Sequence, residues 1–209
     1  TAAVGVSEAE IKTGANVGMQ VGNSLGDINV GFLDATAGSD GNPIGALIAD
    51  ATAKASGGGL LIGVNSTNVV VDNTDTVVAS VGDDASITAS LFSMDAYSNV
   101  RQQADSRAAS VGLVGVGSAA SNAKSNTNVT AIVGLGADIT ADNMFLAASG
   151  TTDNIALTET GAFGLVGVAA AAPETTTIAN IMAGLADGTS GSDRAELDVT
   201  GLLQITAGQ

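Results

Sequence analysis

A glycine flanked by β-branched residues returns at near-constant intervals along this chain. A constant interval commits a polypeptide to a stack of like units rather than to a globule grown around one centre. Val4-Gly5-Val6, Ile62-Gly63-Val64, Val114-Gly115-Val116 and Val166-Gly167-Val168 are separated by steps of 58, 52 and 52 residues. A second rank follows each of these at 17 to 19 residues: Val21-Gly22, Val81-Gly82, Val133-Gly134 and Ala183-Gly184. Phe32, Phe92 and Phe145 fall 10 or 11 residues after a second-rank glycine. Ala85-Ser86-Ile87-Thr88-Ala89 and Ala137-Asp138-Ile139-Thr140-Ala141 also match at a step of 52. The repeats run approximately over residues 1–58, 59–110, 111–162 and 163–209, as one continuous solenoid over 1–209. The extra residues of the first repeat are assigned to the loop signal Gly38-Ser39-Asp40-Gly41-Asn42-Pro43.

Within a repeat the pattern is that of strands. Ser86 to Ser90, Asp138 to Asp142, Glu196 to Thr200 and Leu203 to Thr206 alternate apolar with polar, which buries one face and wets the other. Clusters of Asn, Asp, Gly and Ser punctuate these runs as turns. Ala49 to Ala55 and Val100 to Ala109 admit a helical reading, but their apolar spacing fits a helix poorly. The expected fold is all-β, a parallel β-helix (β-solenoid) of about four repeats. The 17-to-19-residue sub-step is read as one coil, with two to three coils per repeat. About 11 or 12 coils at about 4.8 Å each give a rod on the order of 55 Å long. The recurring phenylalanines are expected to form an internal ladder. The apolar run Ala162 to Ala172, too short to span a bilayer, is expected to be a buried strand pair.

Composition removes whole classes of function. With no Cys and no His, disulfides, thiol catalysis and Cys or His metal sites are excluded. The net charge is −15, and the only basic residues are Lys12, Lys54, Arg101, Arg107, Lys124 and Arg194. Neutralising phosphates takes Lys and Arg, so neither nucleic acid nor an anionic membrane surface is an expected partner, and no membrane insertion is expected. Aromatic residues make up 2% of the chain, too few for a conventional globular core. The chain starts at Thr1, without an initiator Met or a visible signal peptide, as expected of a processed chain or an excised piece of a longer one.

Val81-Gly82-Asp83-Asp84-Ala85-Ser86-Ile87-Thr88-Ala89 and Val133-Gly134-Leu135-Gly136-Ala137-Asp138-Ile139-Thr140-Ala141 resemble the repeat (shaft) regions of filamentous-haemagglutinin-like and autotransporter bacterial adhesins. The resemblance covers roughly residues 17 to 200. It implies a right-handed parallel β-helix, export to the bacterial cell surface, and adhesion to host cells, other bacteria or matrix. It carries over no catalytic residue and no cofactor. The N-terminal secretion domain of such proteins is missing here, so the resemblance implies a shaft segment or a separate subunit of the same plan.

Carboxylates are the remaining candidates for a site. Paired carboxylates cleave glycans in some β-helix enzymes, and Asp83-Asp84 or Asp72 and Asp75 are the pairs to consider. The sugar-binding His, Lys, Arg and aromatic groups that should surround them are scarce, and solvated turns are the simpler reading. Asp72, Asp75, Asp83 and Asp84 are also the weak candidates for calcium, as hard oxygen ligands in acidic loops, although no calcium-binding repeat or EF-hand spacing is present. Asn65-Ser66-Thr67 and Asn128-Val129-Thr130 are formal glycosylation sequons of the kind expected by chance. The expected function is therefore non-enzymatic, a secreted structural or adhesive fibre element. It would be a segment of a large repeat adhesin or a subunit stacking head-to-tail on itself. Read from residue 209 back to residue 1, both glycine ranks step by 47, close to 52, so the ends are expected to stay in phase. A glycan-binding or glycan-cleaving β-helix is the alternative. An ice- or mineral-binding solenoid ranks lower, because Thr-x-Thr ranks do not run through all four repeats.

Overall fold

The computed structural model describes Thr1 to Gln209 apart from residues 24–25, 41–48 and 189–192. The described residues are extended strands and short turns, with no helix. The strands are β1 (Ala2–Thr13), β2 (Asn16–Val21), β3 (Ile28–Asp40), β4 (Ala49–Gly58), β5 (Ile62–Val81), β6 (Ser86–Val111), β7 (Val114–Val133), β8 (Asp138–Phe163), β9 (Val166–Leu185), β10 (Glu196–Val199) and β11 (Leu203–Gly208). All pair in parallel in two sheets. The first sheet runs β1-β5-β7-β9, with β2 beside β1 on the edge of β5. The second runs β3-β6-β8-β10, with β4 also on β6 and β11 also on β8. From β4 to β10 successive strands alternate between the sheets, while β1 with β2, β3 with β4 and β10 with β11 share one, so the chain winds as a solenoid-like stack of flattened coils.

One coil takes a whole repeat. Ile62 pairs with Val114 and Val114 with Val166, a step of 52, and Ser86 pairs with Asp138 at the same step. The expectation of two to three coils per repeat is therefore incorrect. The 17-to-19-residue sub-step marks the two ends of a single long strand: Gly63 opens β5 and Gly82 follows its last residue. Inward and outward residues alternate without a break over the 20 residues of β5. The stack holds about four coils and rises only about 19 Å, not 55 Å. Both segments with a helical reading, 49–55 and 100–109, are strands.

The first coil is displaced relative to the glycine ruler. Ala3, not Gly5, lies beside Gly63, and Gly5 lies beside Asn65. In the fourth coil Ala186, not Gly184, continues the second rank: its N–H donates to the Val133 carbonyl, whereas Gly184 lies beside Ile132. With Ala3 and Ala186 in the rank positions, both ranks step by 45, not 47, when read from residue 209 back to residue 1. The pairing offset falls from 59 at Asp40 to 53 at Ala49, so six of the extra residues of the first repeat lie in 41–48. The expected 38–43 loop is thus strand at 38–40 and otherwise lies outside the described residues.

The phenylalanine ladder does not form. Phe92 is fully buried, Phe145 is on the outer face and Phe32 is 60% exposed. The inward rank at this level is Leu33-Phe92-Met144, with Phe32 beside Leu91 and Phe145 beside Ser93. A strand alternates with period two, so a one-residue difference in spacing turns a side chain from inside to outside. The step from second-rank glycine to phenylalanine is 10 residues for Phe92 and 11 for Phe145. For Phe32, the segment between β2 and β3 carries one residue more than its counterpart after β5.

Among the described residues the interior holds two apolar cores. The larger is built from Val77, Val81, Ile87, Phe92, Met94, Val129, Ile139, Met144 and Leu146 with surrounding alanines; the smaller from Ala51, Ala53, Val69, Val71, Ala104 and Ala123. Burying these side chains at about 25 cal/mol per Å² drives the winding. The run 162–172 is not a buried pair. It forms the end of β8, a corner and the start of β9, and Phe163 to Ala172 are exposed. β9 is the last strand of its sheet, and β11 ends at Gly208 beside Ser149, so no described strand covers this part of its inward face.

Candidate functional surfaces

The acidic candidates do not share a site. Asp72 and Asp75 are three residues apart on a strand and so face opposite ways. Asp72 points outward in the rank Lys12-Asp72-Lys124. Asp75 is buried, its Oδ1 accepting from the Ala15 N–H at 3.0 Å and its Oδ2 from Ser98 Oγ at 2.8 Å. Asp83 and Asp84 form the turn between β5 and β6. Asp83 Oδ1 accepts from the Leu135 N–H at 2.9 Å, and the Asp84 N–H donates to the Leu135 carbonyl at 2.8 Å. Asp84 holds a left-handed φ of 52°, which Asp tolerates better than most residues. The Asp83 side chain and the Asp84 backbone thus tie one coil to the next. Among the described residues no three acidic side chains converge as a metal ion requires.

Sequence reasoning missed the polar interior. Near the first glycine rank, Asn65 Nδ2 donates to the carbonyls of Ala109 at 2.6 Å and Gly57 at 3.1 Å, and Thr67 Oγ1 bonds Ser106 Oγ at 2.7 Å. Asn65 is 2% exposed, so its sequon is closed in the folded chain. Midway along the strands Gln102 Nε2 donates to the Lys124 carbonyl and to Asn154 Oδ1 (2.8 Å). Asn154 Nδ2 in turn donates to Ser125 Oγ and the Thr176 carbonyl, both at 2.9 Å. These amides bridge the two sheets. The available signal was polar residues at inward parity, such as Asn65, Thr67, Asn73 and Asp75, but strand direction and face are needed to recognise it.

On the outer face of the second sheet, a shallow groove of ≈ 460 Å³ crosses three coils. Its floor is Ser56-Ala109-Gly161, with Lys54, Arg107 and Glu159 on one side and Phe163 on the other. Arg107 lies 3.0 Å from Asp105 and 3.5 Å from Glu159; its hydrogen bond to Asp105 holds the guanidinium pKa above its already high value. On the same face burial raises the Asp95 pKa above the ordinary carboxylate range, and the charge of Asp34 adds to this. The groove can hold an extended polar ligand, but no carboxylate pair flanks it on opposite walls as glycan cleavage demands.

The two corners of the coil differ in character. The β5–β6 and β7–β8 corner carries Asp83, Asp84 and Asp138. The opposite corner is apolar. Val111-Gly112-Leu113-Val114 turns so tightly that a Cβ at Gly112 would meet the Gly59 carbonyl and the Gly63 nitrogen at 2.9 Å. With the inside closed by backbone, the large side chains point out. Leu61, Leu113 and Leu165 stack through Val114 N–H to Leu61 O and Val166 N–H to Leu113 O bonds, at 2.8 and 3.1 Å. They are flanked by outward ranks Ile62-Val114-Val166 and Val4-Val64-Val116-Val168 and by Val111 beside Phe163.

No family model, no curated protein and no solved structure matches this chain.

Proposed function

We propose that this chain is a structural or adhesive fibre element, secreted to a bacterial cell surface, in the manner of the shafts of filamentous-haemagglutinin-like adhesins. One observation carries the reading: parallel coils stack at a fixed 52-residue step, and the outer edges of β9 and of β8 beyond Ser149 have no strand partner among the described residues. Unpaired parallel edges are templates for a further coil. That coil comes either from a tandem neighbour in a longer chain or from another copy stacked end to end. The coil is longer than the short coil first inferred, so the reading rests on stacking and not on coil length. It is finer than the solenoid-like fold itself, since the hand and type of helix belong to the proposal. The function is non-enzymatic, needs no cofactor, and engages a host-cell, bacterial or matrix surface. Negative-stain electron microscopy and a cell-surface binding assay on the purified chain test it. Rods lengthening in steps of the 209-residue unit, or saturable adhesion, support it. Uniform short particles that bind no cell or matrix surface remove it.

The groove beside Arg107 and Phe163 favours glycan binding as the alternative, since it offers a cation, a carboxylate and an aromatic edge along one line. A glycan array decides: binding abolished by Arg107→Ala supports the alternative, and no binding to any glycan eliminates it.

A further inference from the structure

The chain carries a charge of −15, yet one corner of the coil has no charged side chain at all. Segments 1–7, 55–71, 108–123 and 160–173 contain no Asp, Glu, Lys or Arg, and together they build the apolar corner in every coil. Its side chains are open to water: Val4 is 73% exposed, Leu113 50%, Phe163 63% and Leu165 83%. The stripe runs the height of the stack, about 19 Å, and spans about five residues across, a projected face on the order of 300 Å². A face of this size lies at the lower end of the largest apolar patch that a monomer carries, about 300–600 Å², and such patches often serve as contact sites.

We infer that this corner is a lateral interface on which a second copy of the same chain docks side by side, stripe against stripe. Two features of the molecule select that occupant. The first is charge. At a net charge of −15 two copies repel overall, and they do so strongly at the corners bearing Asp83, Asp84 and Asp138; along the apolar corner side chains meet with no like charges between them. The second is spacing. The leucine and valine ranks repeat at the coil rise of about 4.8 Å, and another solenoid with the same rise matches them rank for rank. The contact is closed, since each stripe is used up by its mate, so it makes pairs and not open arrays. A face of this size is well below the roughly 800 Å² per partner of a standard interface. The pair is therefore weak for four coils and strengthens as coils are added. This inference does not depend on the adhesive reading, and it differs from end-to-end stacking, which uses the strand edges.

Sedimentation equilibrium of the 209-residue chain, at rising protein concentration and at low and high salt, is the test. The expected result is a weight-average mass rising from 20.1 kDa toward twice that value and no further. Association should tighten at least about threefold as salt screens the like charges. Leu113→Gln with Leu165→Gln should weaken it at least about tenfold while the circular dichroism stays unchanged. The chain has no cysteine, so Leu113→Cys adds a single thiol. A short bismaleimide should link two such copies, and should not link Asp83→Cys copies. That reading holds even if the glutamine variant fails to fold. A monomer at every concentration and salt overturns the inference. So does growth past the dimer that ignores the glutamine substitutions, which would mean edge stacking. Binding of phosphatidylcholine vesicles by a chain that stays monomeric in solution would assign the corner to lipid and overturn it as well.

Discussion

Replacing Phe92 by alanine separates the observed interior from the ladder that the repeat suggests. Phe92 is fully buried between Leu33 on one coil and Met144 on the next, within the larger core. Losing the burial of a phenylalanine side chain costs about 1.5–3 kcal/mol. The parallel backbones above and below are fixed by continuous ladders, so the site collapses poorly and a cavity term adds to this. The expected total is about 3–5 kcal/mol. Phe32 is 60% exposed and Phe145 faces outward, so their alanine variants should cost less than about 1 kcal/mol each. Urea unfolding followed by far-UV circular dichroism measures the three side by side. The comparison holds where the slope against denaturant is unchanged, since a stacked array can lose cooperativity when one layer is weakened. Equal losses at all three positions would refute the facing assigned here and restore an internal phenylalanine ladder.

Other substitutions probe the corners, the interior and the charged faces. Gly164→Ala drives a Cβ into the Gly112 carbonyl and should cost about 1–3 kcal/mol, whereas Gly208→Ala, with open space around it, should stay within about 0.5 kcal/mol by thermal unfolding. Asn65→Ala leaves the carbonyls of Gly57 and Ala109 without their side-chain donor, and a loss of about 1–3 kcal/mol in urea is expected. Asp95 binds its proton more tightly folded than unfolded, so its contribution to stability falls as pH rises through the carboxylate range into the raised folded value. Asp95→Asn should therefore raise the melting temperature at pH 7 and not at pH 3. The gain should be no more than about 0.5 kcal/mol because the group is only partly buried; an equal shift at both pH values would rule out this cause.

The 52-residue step was legible because sequence similarity between coils is direct contact similarity: Ile62, Val114 and Val166 lie on one another. Strand character and parallel pairing followed from the same rank of residues. Coil length was not legible, because glycines mark both ends of a strand as readily as the ends of a coil. Gly63 serves a tight corner, whereas Gly5 lies beside Asn65, whose side chain a Cβ at Gly5 would strike. Two glycines in like sequence context thus answer different steric demands. Facing was the most fragile inference, since it depends on parity. One residue more before Phe32, and one more before Phe145, put both outside. The candidate carboxylates were visible as residues but not as roles. Whether Asp75 points in and Asp72 out is decided by the face of β5, which only the pairing of the sheets reveals.

Polar residues inside a coil look like a cost, and the parallel stack gives them a reason. A slip of two residues between coils keeps every side chain on its own face and still sets valine and alanine against valine and alanine. Apolar ranks such as Val77-Ala79-Val81 on Val129-Ala131-Val133 barely oppose it. The sheet-bridging amides do. Gln102 meets Asn154 in the present register, and a two-residue slip sets it beside Thr152 or Ala156, taking the half-buried Asn154 partner from the buried Gln102 amide at about 1–3 kcal/mol. Gln102→Leu together with Asn154→Leu removes that opposition without leaving half a pair. Gln102 Oε1 has no hydrogen-bond partner in the folded chain and Asn154 is only half-buried, so apolar groups in both places change stability little and the double variant is expected to unfold within about 1 kcal/mol of the parent. It should nonetheless show more than one set of backbone amide resonances for β6 and β8, as registers interchange. Asn154→Leu alone should cost about 1–3 kcal/mol and keep a single set, because Gln102 stays bound to the Lys124 carbonyl. A single set of resonances from a stable double variant would mean that the turns alone fix the register, and that the interior amides bridge the sheets without selecting it.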